Sequence, residues 1–238
     1  MEHHPLTWIS LIPGLNTLPS HSVHATLVAV LILAFASRAR SQLAVARAQG
    51  THLVPETNLS ARNLAELFVD GMNGIAEGVL GISGRRYVAL FGSLFLFILL
   101  GNLMGLVPGF APPTSDFNIT FGLGVAAFLG YNAIGIKAQG LGKYLKHFLG
   151  PIWWLAFLMA PLEIVDNLVR PVSLALRLFG NMTGDHLVLE IFTNLTYLVI
   201  PVAFYFLGAF VSLIQAFVFT LLTVIYVSLA VGHGEEHH

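Results

Sequence analysis

Three apolar runs, residues 88–106, 119–136 and 201–231, each approach or exceed the ~18 residues that cross a bilayer as a helix. Runs of this length have no place in a soluble core of ordinary size. Lipid supplies no hydrogen-bond partners, so each run must satisfy its own backbone, which a helix does. Composition agrees: 56% of the 238 residues are hydrophobic and 10% charged, where a soluble domain carries about 25% charged. The mean hydropathy is +0.79. A net charge of −1 carries no nucleic-acid signal. The absence of cysteine excludes a disulfide framework and any thiolate metal site.

The first span is expected at 21–37, after an external N-terminal segment at 1–20, and it ends at the basic "RAR" of Arg38 to Arg40. The opening "MEHHPLTWIS" has no Lys or Arg and no A-x-A-like site follows, so a cleaved signal peptide is not expected. His3, His4, His237 and His238 read as solvated tails, and neither a metal nor a cofactor is expected. Within 58–82, Leu64, Leu67, Phe68, Met72, Ile75 and Val79 recur at three- and four-residue steps, with Glu66, Asp70, Asn73 and Glu77 between them. This pattern predicts an amphipathic helix too polar to span, capped by Asn58 or Ser60 and lying along the membrane surface or against other spans.

Further crossings are expected at 87–107 and 118–136, and two long helical segments at 153–192 and 199–231, before a cytoplasmic tail at 232–238. No internal repeat appears, so the whole chain reads as one membrane domain. At 1.5 Å per residue the two long segments exceed the ~30 Å hydrocarbon core and must tilt. Of the eleven basic residues, Arg38, Arg40, Arg47, Arg62, Arg85, Arg86, Lys137, Lys143 and Lys146 fall in loops on one side of these spans. That side is cytoplasmic by the positive-inside rule. The expected fold is thus all-α, with five crossings and one surface helix, the N-terminus outside and the C-terminus inside.

Arg170 and Arg177 remain, both within the membrane. On a helical wheel Glu163, Asp166, Arg170, Arg177, Asn181 and Gly184 fall within roughly 80°. Asp166 or Glu163 can pair with Arg170 as structural glue. Arg177 has no carboxylate within reach on its own helix face, since Asp166 lies roughly 16 Å along the axis. An ionisable residue in hydrocarbon is a functional candidate by default. His186 lies about 180° around the helix from Arg177, with Glu190 beside it four residues on and Asp185 before it. Titratable groups therefore form two sets, one inward on the Arg177 face and one outward on the opposite face.

"PVSLALRLFGNMTGDH", "SLIQAFVFTLLTVIYVSLA", "LLGNLMGLVP", "PTSDFNIT" and "PLEIVDNLVRPVS" resemble subunit a of F-type ATP synthases over residues 85–231. The resemblance implies a hairpin of tilted helices against a ring of c subunits, b-type peripheral stalk partners and a whole ATP synthase in a bacterial inner membrane. It implies proton translocation through two offset half-channels, with ATP chemistry on other subunits. The family's key arginine maps onto Arg177, and its companions onto Asn181, Gln215, Glu163, His186 and Asn102. Two departures stand out. Many members have Asp where this chain has Gly105, and His or Glu where it has Gly208, so the outer half-channel lacks a usual titratable group. A guanidinium stays charged at physiological pH, so it can stabilise an ionised ring carboxylate without competing for its proton. A stand-alone transporter would instead predict inverted repeats with paired broken helices, and a non-transporting assembly subunit would leave the two titratable sets without a purpose.

Overall fold

The computed structural model describes residues 19–50, 60–147, 156–195 and 199–232. Among them the chain forms helices and connecting turns only: α1 (Ser20–Ala48), α2 (Ala61–Leu80), α3 (Val88–Met104), α4 (Phe117–Gln139), α5 (Leu141–His147), α6 (Ala156–Leu195) and α7 (Val199–Gly232). Four stretches are long and apolar enough to cross a membrane: Ser20–Ala48, Ala61–Met104, Phe117–Gln139 and Pro201–Gly232. α6 is not among the four, since it carries Glu163, Asp166, Arg170, Arg177, Asp185 and Glu190.

Local chemistry sets the ends. Ser60 caps α2 by accepting from the Asn63 N–H at 3.2 Å, whereas Asn58 lies outside the described residues. α2 stops at Gly81, whose φ of +66° breaks the helical path. A tight 3-10 stretch, Gly81–Tyr87, then leads into α3. Asp116 caps α4, its Oδ1 accepting from Asn118 N at 2.9 Å and Ile119 N at 3.3 Å. α1 runs past the apolar stretch to Ala48, because "RARSQLAVARA" is rich in strong helix formers even where it is charged. α5 was not foreseen.

The helices pack chiefly as α3 on α7 and α4 on α6, with α4 and α6 also against α7. Phe91 and Ile98 of α3, Leu174 and Leu178 of α6, and Phe219 and Val224 of α7 are each at most 2% exposed and join in one core. Of the apolar positions expected on α2, Met72 is buried, and Phe68 and Ile75 pack against that core. Leu64, Leu67 and Val79 point away and stay exposed. Large apolar side chains such as Leu33, Phe157 and Phe206 are also exposed, as a chain solvated by lipid requires. α6 with 40 residues and α7 with 34 measure about 60 and 51 Å at the standard rise. The terminal histidines, Trp153 and residues 196–198 lie outside the described residues.

Candidate functional site

α6 carries its polar side chains at three levels. At the first, Arg170 pairs with Asp166 one turn back: Nη2 and Nε donate to Oδ2 at 2.5 and 3.1 Å. The guanidinium also stands over the Tyr226 ring of α7, 5.1 Å from its centre. Glu163 lies one turn further and is half-buried. Beside them Pro171 has no N–H to give the Asn167 carbonyl. The buried Tyr131 hydroxyl of α4 lies 3.2 Å from that carbonyl and 2.6 Å from Asn167 Oδ1. Asn167 Nδ2 reaches Asn132 Oδ1 at 3.3 Å, which also accepts from Tyr144 of α5 at 2.5 Å. Burial pushes the Tyr144 phenol above its ordinary range, so it stays a donor.

At the second level Arg177 is exposed on the outer surface of α6. Among the described residues no hydrogen bond or ion pair engages it. One turn on, Asn181 Nδ2 donates to Gln215 Oε1 of α7 at 2.7 Å. Gln215 is 3% exposed and its own Nε2 has no partner among the described residues.

At the third level a cavity of about 210 Å³ opens between α3, α6 and α7, and Asn102, Asp185, His186, Gly208 and Ser212 are on its wall. A water needs roughly 10–15 Å³ of such volume, so several fit. Asn102 is buried and its Oδ1 accepts from the Thr114 hydroxyl at 2.6 Å. Its Nδ2, and Asp185 Oδ2, are buried polar atoms without a protein partner among the described residues. Such atoms destabilise the fold unless water or an ion satisfies them. Glu190 is exposed and is not on this wall.

The structure thus joins Asp166 with Arg170, Asn181 with Gln215, and Asn102, Asp185 and His186 around one cavity. It leaves Glu190 and Arg177 outward. Along α6, Arg177 sits eleven residues from Asp166 and nine from His186, or about 16 and 13 Å of rise. Sequence reasoning missed Tyr131, Asn132, Asn167, Thr114 and Ser212. Each is a polar residue in or beside an apolar run, and that signal could have found it. It also missed His24 of α1, whose Nε2 accepts from the Ala111 N–H at 3.4 Å.

Long apolar helices carrying polar side chains at three levels define a multi-pass α-helical membrane protein. Residues 21–228 match the family described as ATP synthase A chain. The chain is 42% identical over 226 residues to ATP synthase subunit a of Bdellovibrio bacteriovorus, covering 95% of this chain and 97% of that protein. It is 40% identical over 235 residues to ATP synthase subunit a of Trichlorobacter lovleyi, covering 99% of each. Over 177 residues it is 47% identical to that of Geobacter sulfurreducens, 74% of this chain and 76% of the other. The chain belongs to the ATP synthase A chain family.

Proposed function

We infer that this chain is the membrane-sector subunit through which protons cross an ATP synthase, and that Arg177 separates two half-channels. It is a stator part without catalytic chemistry of its own; ATP is made on other subunits. Its partners are a ring of c subunits, lying against α6 and α7, and b-type peripheral stalk subunits. It resides in a bacterial inner membrane with five crossings, counting α6, and with its N-terminus outside and its C-terminus in the cytoplasm.

The observation that carries this reading is the exposed guanidinium of Arg177, placed between the Asn102–Asp185–His186 cavity and the Glu163–Asp166 level and free of partners among the described residues. Placing a charge in lipid costs several kcal/mol on most scales. A passing ring carboxylate offsets that cost by pairing with it. Protons reach the ring carboxylate through the cavity at His186, with Asp185 and Asn102 on the same wall. They leave past Glu163 and Asp166. Asn181 and Gln215 fix α6 to α7 next to the arginine, and Arg170 braces the inner level. The bare positive charge keeps a proton from running straight from one half-channel to the other.

Arg177→Ala and Arg177→Lys test this in inverted membranes. Proton-driven ATP synthesis is expected to vanish in both, while ATP hydrolysis by the detached catalytic head stays intact. Normal coupled synthesis in Arg177→Ala would falsify the assignment.

A further inference from the structure

His186 reaches from α6 and lays its imidazole on the bare backbone of Gly105, the residue that caps the end of α3. A β-carbon placed on Gly105 would overlap Nε2, lie 2.7 Å from Cε1 and lie 2.8 Å from the β-carbon of Pro112. Optimal carbon contacts lie at about 3.5–4.0 Å. Gly105 has φ −67° and ψ −15°, a conformation any residue adopts. Its backbone does not require glycine; the space above it does. No hydrogen bond to the described residues fixes the imidazole, so its place in the cavity wall depends on packing, with the Glu190 charge one turn on.

We propose that Gly105 is a positioning residue of the outer proton path: its missing side chain is the seat that keeps the His186 imidazole in the cavity wall. A side chain at 105 expels the ring, so this seat takes one titratable group, an imidazole from α6 or a carboxylate at position 105, but not both. The proposal rests on reading the cavity as a proton path. The imidazole takes a proton on one nitrogen from the outer water and passes one on toward the ring carboxylate, returning to its starting charge with each transfer. The ionisable groups that face it are on its own helix, Asp185 on the same wall and Glu190 one turn on. α3 faces it with Asn102, the turn after α3 with Leu106, α7 with Gly208 and Ser212, and the loop before α4 with Pro112.

Passive proton flux and its pH profile, measured on the whole complex in proteoliposomes, test the seat. His186→Ala and Gly105→Ala are each expected to lower flux, the latter by about a hundredfold, as a misplaced reacting group does. In the Gly105→Ala/His186→Ala pair the second change is expected to add no loss, since the displaced group is gone. Gly105→Asp/His186→Ala is expected to regain part of the flux. Its alkaline limb should move to lower pH, because a carboxyl ordinarily loses its proton near pH ~4 and an imidazolium near ~6.5. Wild-type flux in Gly105→Ala overturns the proposal. So does a pair whose losses multiply, which would place the clash at Pro112, and so does Gly105→Asp/His186→Ala no faster than His186→Ala. If Gly105→Ala fails to assemble, the pair decides: restored assembly is expected, and continued failure overturns the seat. Unchanged flux in His186→Ala removes the cavity from the path, and the seat with it. Only that last outcome strikes the underlying reading; the others strike Gly105 alone.

Discussion

At the level of single residues, the pair formed by Asn181 and Gln215 ties the two long helices beside Arg177. Gln215 is 3% exposed and its Nε2 already lacks a partner among the described residues. Losing Asn181 therefore strands the whole amide, at about 1–3 kcal/mol. Replacing both by Leu removes donor and acceptor together, which mutational experience makes nearly neutral. Asn181→Leu and Gln215→Leu are expected to lower the thermal inactivation midpoint of the assembled complex, and the double variant to lower it by less than the sum. Additive losses would show that the bond contributes nothing. This pair also marks how far a single sequence reaches. Asp166 and Arg170 are four residues apart on one helix, and helical geometry alone brings them together. Asn181 and Gln215 are 34 apart, and Gly105 caps the end of α3 while His186 is on α6. Their meeting depends on how helices turn about their axes, which no spacing within one helix encodes. Gly105 and Gly208 stood out in the sequence as gaps where the family resemblance implies titratable groups. The structure fills the first with the His186 ring, while at the second a β-carbon would meet Leu106 Cδ2 at 2.9 Å.

Among the elements, α4 and α6 approach each other tightly at Gly124. A β-carbon there would stand 2.5 Å from the Pro171 carbonyl oxygen and 3.5 Å from the β-carbon of Ala175. The obstacle is backbone, so the helices must separate to admit even a methyl group. Small residues allow such approaches where lipid provides no hydrophobic drive between helices. Gly124→Ala is expected to cost about 1–3 kcal/mol through overpacking, and to weaken the Tyr131–Asn167 bond on the same interface. Gly122→Ala is the matched control, since nothing lies within 4 Å of its β-carbon position. The measurement is the heat stability of coupled synthesis in each variant. Equal stability of the two would show that the interface tolerates spreading. The apolar runs were legible as helices because run length alone decides that. The end of α1 was not, because its last turns are charged yet strongly helix-forming and so outlast the apolar run. The outward turn of Leu64 and Leu67 was not legible either. α2 contacts α1, α3 and α7, and these neighbours set which part of its apolar face is covered.

For the whole molecule, sidedness follows from how the helix ends gather. Near the start of α1, His24 bonds the Ala111 backbone. Thr114 bonds Asn102 near the end of α3, and Gly105 meets His186. These contacts collect one end of the structure, and none of the described Lys or Arg residues is part of them. At the other end Gln139 of α4 donates to the Ala230 carbonyl of α7 at 2.6 Å. A β-carbon on Gly135 would meet both Tyr144 of α5 and Ala230. Lys137 and Lys143 lie there, Arg85 and Arg86 precede α3 at its matching end, and Arg38, Arg40 and Arg47 occupy the far half of α1. Positive charge crosses a bacterial membrane poorly, so the basic end is expected in the cytoplasm. Cysteine scanning checks this cleanly, because the chain has no native cysteine. Ser41→Cys and Lys143→Cys replace exposed residues at the basic end, and should react with a membrane-impermeant thiol reagent only in inverted vesicles. Ser115→Cys and Asn118→Cys, between α3 and α4 and at the start of α4, should react only in right-side-out cells. The two sets must also exclude each other if α4 crosses the bilayer once. Labelling of Lys143→Cys from outside would reverse the orientation. Labelling of both sets from the same side would remove α4 as a crossing, and with it the placement of the His186 cavity and the Asp166 level on opposite faces of the membrane.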